Sequence, residues 1–145
     1  MTCAELMTKN VTFCSPEDRV DTAAILMRDR NVGAVPVVGP DNRPVGIITD
    51  RDLAIGVCAN AEDSYYKKVN EIMRSPVVCC HESDDVSAAL EVMAEHHIRR
   101  VPIVDGEGRL VGIITLDDLT RCCSSDLTTH QASQSAITGA NDLRS

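Results

Sequence analysis

The strongest constraint on this chain is that it contains itself twice. The run Gly46-Ile47-Ile48-Thr49-Asp50-Arg51-Asp52-Leu53 returns 66 positions later as Gly112-Ile113-Ile114-Thr115-Leu116-Asp117-Asp118-Leu119, and one ungapped offset aligns 7–55 with 73–121. Identities along it include Met7/Met73, Cys14/Cys80, Asp18/Asp84, Val20/Val86, Ala23/Ala89, Met27/Met93, Val35/Val101, Pro36/Pro102 and Val38/Val104. Unrelated segments of ordinary composition match at roughly one position in fifteen or twenty, so the chain is an internal duplication. Such repeats commonly bury a shared face that neither copy could bury alone. The 145 residues amount to about one domain. They therefore read as two halves of one body, 1–62 and 63–123, followed by a polar segment, 124–145, rich in Ser, Thr, Gln and Asn.

Within each copy the expected order is strand, helix, strand, hairpin, strand, helix, an α+β pattern. A short opening helix is expected at Ala4-Glu5-Leu6-Met7, with its counterpart at Val69–Met73, and each leads into a β-rich run, Val11-Thr12-Phe13 or Val77-Val78-Cys79. Asp18 and Asp84 are the expected N-caps of the first long helix of each copy. Val20, Ala23, Ala24, Met27 and Ile25, and then Val86, Ala89, Leu90 and Met93, recur at helical steps and predict the buried faces. Ala34-Val35-Pro36-Val37-Val38 and Arg100-Val101-Pro102-Ile103-Val104 read as strands. A proline cannot donate to a ladder, so each is expected at a strand start or beside an open backbone edge. Gly39-Pro40-Asp41-Asn42 and Asp105-Gly106-Glu107-Gly108 supply the hairpin turns.

The repeated run carries the chemistry. Thr49 and Thr115 close a strand where free helix amides begin, and Asp52 and Asp118 follow three residues later on the same first turn. A hydroxyl with helix amides can receive an anion, and a carboxylate can accept both hydrogens of a cis-diol, so a ligand with a phosphate and a ribose could use both. The bland alternative is helix capping with no ligand at all. The copies differ upstream: Arg99 and Arg100 precede the second Val-Pro, whereas Gly33 and Ala34 precede the first. That difference predicts tighter binding of a phosphorylated ligand by the second copy.

Composition narrows the function classes. The formal net charge is −8 and the pI about 4.8, which repels a nucleic-acid backbone. No apolar run approaches the length of a membrane span, and the first residues lack the basic and apolar regions of a signal peptide; a cytoplasmic protein is expected. With no Trp, one Phe and two Tyr, a flat ligand would be gripped by aliphatic side chains and backbone rather than by stacking. Seven cysteines without a secretory signal predict reduced thiols. His81, His96 and His97 with Cys79, Cys80, Cys122 and Cys123 invite a metal reading, but adjacent cysteines lack common zinc spacing, and buried thiols are the better expectation. A disulfide among Cys14, Cys80, Cys122 or Cys123 is a further alternative. There is no Walker loop, no His-Glu-x-x-His and no nucleophile elbow, so no enzyme is expected.

The paired "V-P-V-V … V-G-I-I-T-x-x-D-L" units resemble tandem CBS domains, the cystathionine β-synthase modules that associate as Bateman modules, over about residues 2–123. The resemblance implies two pseudo-two-fold-related repeats, each a small sheet with two packed helices, leaving two clefts that often hold adenosine-containing ligands. It implies ribose binding by Asp52 and Asp118, phosphate or ribose contact by Thr49 and Thr115, and framing of adenine by the strand around Val101 and Pro102, with Arg99 or Arg100 near phosphate. It further implies a stand-alone regulatory or sensor module that takes AMP, ADP or ATP, needs no cofactor, forms a homodimer and signals to an unidentified effector protein by ligand-dependent orientation of its repeats. The alternatives are a structural or thiol-redox-responsive interaction protein with empty clefts, and a small metal-binding protein.

Overall fold

The computed structural model describes residues 1–122; Cys123 and the polar segment 124–145 lie outside the described residues. Its elements are α1 (Cys3–Leu6), α2 (Val20–Arg30), β1 (Ala34–Val38), β2 (Pro44–Thr49), α3 (Asp50–Leu53), β3 (Cys80–His81), α4 (Val86–His96), β4 (Arg100–Val104), β5 (Leu110–Thr115) and α5 (Leu116–Cys122). A turn of π-helix, Ala54–Cys58, continues α3, and a 3-10 turn, Val69–Glu71, stands where the second copy was expected to open with a helix.

Two compact units result: Thr12–Val77 forms one, and Met1–Val11 joins the described residues from Val78 to Cys122 in the other. The units and the sequence repeats are thus cut at different places. Each repeat's opening segment packs on the sheet of the other repeat. Thr8 exchanges both backbone hydrogen bonds with Ile113 at 2.9 and 3.1 Å, and Arg74, its equivalent 66 residues on, does the same with Ile47 at 2.9 and 3.1 Å. The glycines of the repeated run make room for this. A Cβ at Gly46 would stand 2.8 Å from the Arg74 carbonyl oxygen and 2.7 Å from the Met73 sulfur, and a Cβ at Gly112 would meet the Met7 side chain.

In the 12–77 unit, β1 and β2 pair antiparallel, with Pro36 opposite Ile47. Ile47 turns its backbone groups away from β1 and toward Arg74, so this is a pair without ladder bonds, and the missing proline N–H costs nothing. On the far side of β1 the Cys14 N–H donates to the Pro36 carbonyl at 3.1 Å. The other unit repeats the scheme in a sheet ordered β3-β4-β5, with Pro102 opposite Ile113. Because β3 pairs only with Ile103 and Val104, the stretch of β4 ahead of them has no strand on that side among the described residues. The open edge expected beside each proline is therefore real but short.

Each unit has its own core. Cys14, Ala23, Met27, Val35, Val37, Ile48 and Val69 form one; Cys3, Cys80, Val86, Ala89, Leu90, Met93, Val101, Ile103, Ile114, Leu116 and Leu119 form the other. The predicted helix faces hold except at Ala24 and Ile25, which are exposed; Leu26 packs against the core instead. The expected N-caps are corrected. The Asp18 and Asp84 carboxylates accept from the Ser15 and His81 N–H groups, each at 2.9 Å, and so close the turn before the helix. Asp85 caps α4 by accepting from Ser87 N–H at 3.0 Å, whereas Arg19, at the α2 cap position, makes no side-chain cap. The β-rich runs shift as well, to a bridge at Cys14 and the two-residue β3.

Candidate functional site

The repeated strand-to-helix junction is built the same way in both units. Thr49 ends β2 and caps α3: the Asp52 N–H donates to Thr49 Oγ1 at 3.1 Å, and the Thr49 N–H donates to Asp52 Oδ2 at 2.9 Å. Thr115 and Asp118 repeat the reciprocal pair at 3.2 and 2.9 Å. Such a capping box satisfies two helix-terminal donors locally, so the capping role weighed from the sequence is present at both junctions. It engages only one oxygen of each carboxylate.

The second oxygen of each carboxylate takes a different cation. Asp52 Oδ1 accepts from Arg74 Nε at 3.1 Å, and Asp118 Oδ1 accepts from an Arg121 terminal nitrogen at 2.6 Å. The Asp52 and Asp118 side chains are only 11% and 13% exposed, whereas Arg74 is 34% and Arg121 75% exposed. Arg74 comes from the exchanged opening segment, where the other repeat has Thr8; Arg121 comes from the junction's own helix, where the first repeat has Ile55. A carboxylate has about four lone-pair sites, so both retain acceptor capacity for a diol.

The arginines singled out in the sequence belong to the Asp118 junction. Arg100 stands opposite Thr115 across the β4–β5 ladder, and Ala34 stands opposite Thr49 in the other unit. The Arg99 carbonyl receives the Leu116 N–H at 2.7 Å, holding the start of α5 to the end of the preceding loop. Val101 and Pro102 are buried, Val101 at 0% exposure. The expectation of tighter binding by the second copy rested on the first having no cation beside Val-Pro. Ala34 opposite Thr49 agrees with that premise, and Arg74 adds to the first junction a cation brought by a different element. The sequence signal for it was a break at 8/74, immediately after the Met7/Met73 identity.

Asp52 also forms part of the wall of a cavity of about 340 Å³, lined further by Ile55, Gly56, Asn60, Lys67, Glu71 and Ile72. That volume is at the lower end of the range for small-molecule sites, roughly 300–1,000 Å³. Lys67 is 19% exposed and pairs with Glu62 at 3.3 Å.

The cysteines take structural positions. Cys3, Cys14 and Cys80 are buried, and all six described cysteines are free thiols. Burial pushes the Cys14 thiol up to about 12, with Asp18 adding to the rise. It pushes Cys3 and Cys79 up to about 11, and Cys80 upward as well. Thiols held protonated in this way are poor nucleophiles. Among the described residues no group of three or more His, Cys, Asp or Glu is arranged to hold a metal ion. Nor is any described helix long and apolar enough to cross a membrane.

The CBS domain family model matches residues 3–57 and 69–125. An uncharacterized protein of Methanopyrus kandleri is 36% identical over 115 residues, 79% of this chain and 59% of that protein. Hypoxic response protein 1 of Mycobacterium tuberculosis is 35% identical over 120 residues, 83% of each chain. An inosine-5'-monophosphate dehydrogenase of Methanocaldococcus jannaschii is 39% identical over 117 residues, but these are 81% of this chain and only 22% of the enzyme. Among solved structures, CBSX2 in complex with AMP matches with a TM-score of 0.72 and 27% identity, covering 86% of this chain and 96% of that one. The CBS domain pair of protein MJ0100 in complex with 5-methylthioadenosine and S-adenosyl-L-methionine matches with a TM-score of 0.77 and 28% identity, covering 86% and 97%. Hypoxic Response Protein I with two coordinated zinc ions matches with a TM-score of 0.77 and 34% identity, covering 83% and 98%.

Proposed function

The chain belongs to the CBS domain family, with one repeat at 3–57 and another at 69–125, and from that premise we propose that it is a regulatory module whose ligand is an adenine nucleotide. The observation that carries this reading is the pair of Thr/Asp junctions, Thr49 with Asp52 and Thr115 with Asp118, each with a largely buried carboxylate that keeps spare acceptor sites. AMP, 5-methylthioadenosine and S-adenosyl-L-methionine, the molecules bound in two similar solved structures, share an adenosine with its cis-diol, the group such a carboxylate recognises. The same premise supports a homodimer that reports to an effector protein. Its output is a bias on how the repeats are held, since a ligand can shift a conformation only by binding one state better than another. AMP, ADP and ATP are the ligands proposed, with Asp52 and Asp118 on ribose, Thr49, Thr115, Arg99 and Arg100 toward phosphate, and the Val101–Pro102 backbone beside adenine.

Calorimetric titration of AMP into the parent protein, Asp52→Ala and Asp118→Ala tests the reading. Each substitution is expected to abolish one site, visible as a loss of about half the stoichiometry where both sites are filled. No heat and no thermal shift with AMP, ADP or ATP in the parent would reject it, because a specific ligand raises apparent stability by mass action.

A further inference from the structure

Arg74 and Thr8 occupy equivalent positions in the two repeats but differ in chemistry. The Arg74 backbone is held as Thr8 is held in the other unit, by the same reciprocal pair of hydrogen bonds, Arg74 with Ile47 and Thr8 with Ile113. Only the side chain has changed, from a hydroxyl to a guanidinium. That guanidinium reaches 22 residues back along the chain and spends a single donor, Nε, on Asp52 Oδ1 at 3.1 Å.

A guanidinium has five N–H donors in a planar fork. Arg74 is 34% exposed, and no other described side chain takes its terminal amino groups. With Nε anchored, those groups form a two-donor edge beside the carboxylate, the geometry that phosphate oxygens accept bidentately. The nearby charges are mixed. Lys67 and Glu71 share the cavity wall with Asp52, and Lys67 is paired with Glu62 at 3.3 Å. Glu71 already accepts from the Lys68 N–H at 2.7 Å. Arg74 is therefore a cation with donors to spare at this junction, and the one already bonded to Asp52.

Resting on the nucleotide reading above, we propose that Arg74 is the specificity-determining residue of the Asp52 site, which it commits to adenosine ligands bearing an anionic phosphate. Asp52 holds the ribose through its remaining lone pairs, and Arg74 both orients that carboxylate and receives the phosphate. The Asp118 junction lacks this element and draws its cations from β4 and α5.

The test compares AMP with uncharged adenosine by calorimetry in the Asp118→Ala background, where only the Asp52 site remains, and again after Arg74→Thr, which installs the residue the other repeat uses at this backbone position. A charge-assisted contact of this kind corresponds to about tenfold or more in affinity. AMP is expected to bind at least about tenfold tighter than adenosine before the substitution and to lose most of that margin afterwards, Thr49 keeping the remainder, while adenosine affinity moves less than about threefold. Arg74→Lys, which keeps the charge and loses the fork, is expected to retain part of the preference, and that remainder should shrink with added salt. An AMP-to-adenosine ratio that Arg74→Thr leaves unchanged, or equal binding before it, overturns the role of Arg74 and leaves the nucleotide reading standing. Binding of neither molecule to the parent overturns both.

Discussion

The Asp52 and Asp118 junctions share a backbone and a capping box but not a cation. At Asp52 the partner is Arg74, delivered by a segment that crosses to the sheet from a distant part of the chain; at Asp118 it is Arg121, one helical turn away. The first is 34% exposed and the second 75% exposed. Duplication thus preserved the reciprocal Thr/Asp pair and let the cation diverge, in its identity and in the element that brings it. The helices that follow diverge too. Leu116 and Leu119 anchor α5 in a core at 1% exposure each, whereas Asp50 occupies the first of these positions in α3 and is exposed, and the helix gives way to a π-turn.

Alkali should separate the units most. The raised thiols Cys3, Cys79 and Cys80 belong to the unit containing Asp118, and Cys14 to the unit containing Asp52. Their folded values lie above the ordinary thiol value of 9.0. The folded state therefore holds protons that the unfolded chain releases, so this contribution is intact below pH 9 and is lost as pH rises toward 11 or 12. The loss is up to about 1.4 kcal/mol per pH unit for each thiol. Chemical denaturation at pH 8 and at pH 10 should show a steep fall in stability. Cys14→Val should remove the smaller part of it, and replacement of the other three the larger part.

Next in size is the glycine pair. Gly46→Ala puts a methyl group 2.8 Å from a backbone oxygen that cannot move without breaking the Arg74–Ile47 pairing, and overpacking of that kind costs about 1–3 kcal/mol. Gly112→Ala meets the Met7 side chain, whose outer atoms can move to another rotamer although its Cβ, 3.0 Å away, cannot. Thermal melts should therefore show the larger drop for Gly46→Ala; equal drops would mean that the backbone oxygen beside Gly46 yields as readily as the methionine beside Gly112.

The smallest effect expected is that of the arginines on stability. Arg74→Met should cost about 1 kcal/mol, because Asp52 is little exposed and loses its partner, whereas Arg121→Ala should cost about 0–0.5 kcal/mol, as exposed pairs do. Urea midpoints would measure both. A larger loss at Arg121 would reverse the ranking of the two junctions.

The repeat, the Thr/Asp pairs and most of the buried helix positions were legible because they depend on residues a few positions apart. Val20, Ala23 and Met27 follow helical spacing into the core, as do Val86, Ala89 and Met93. Ala24 and Ile25 fit the same spacing yet face solvent, since spacing alone does not mark where the packed stripe ends. Asp18 and Asp84 carry the chemistry of a cap, but their turns consume it one residue early. Arg74 could not be assigned as a partner of Asp52 from spacing. Its reach depends on a crossing that no local pattern encodes, though the unlike pair Thr8/Arg74 beside matched methionines marked the place.

By itself the sequence determined that one strand–turn–helix unit is present twice and that Thr and Asp close each helix start, because a capping box needs only residues three apart. Tertiary structure alone decided that the opening segments exchange sheets, and hence which cation meets which carboxylate. Those outcomes turn on backbone pairing between distant segments and on the space a glycine leaves for a methionine, and neither is a property of any short stretch of chain.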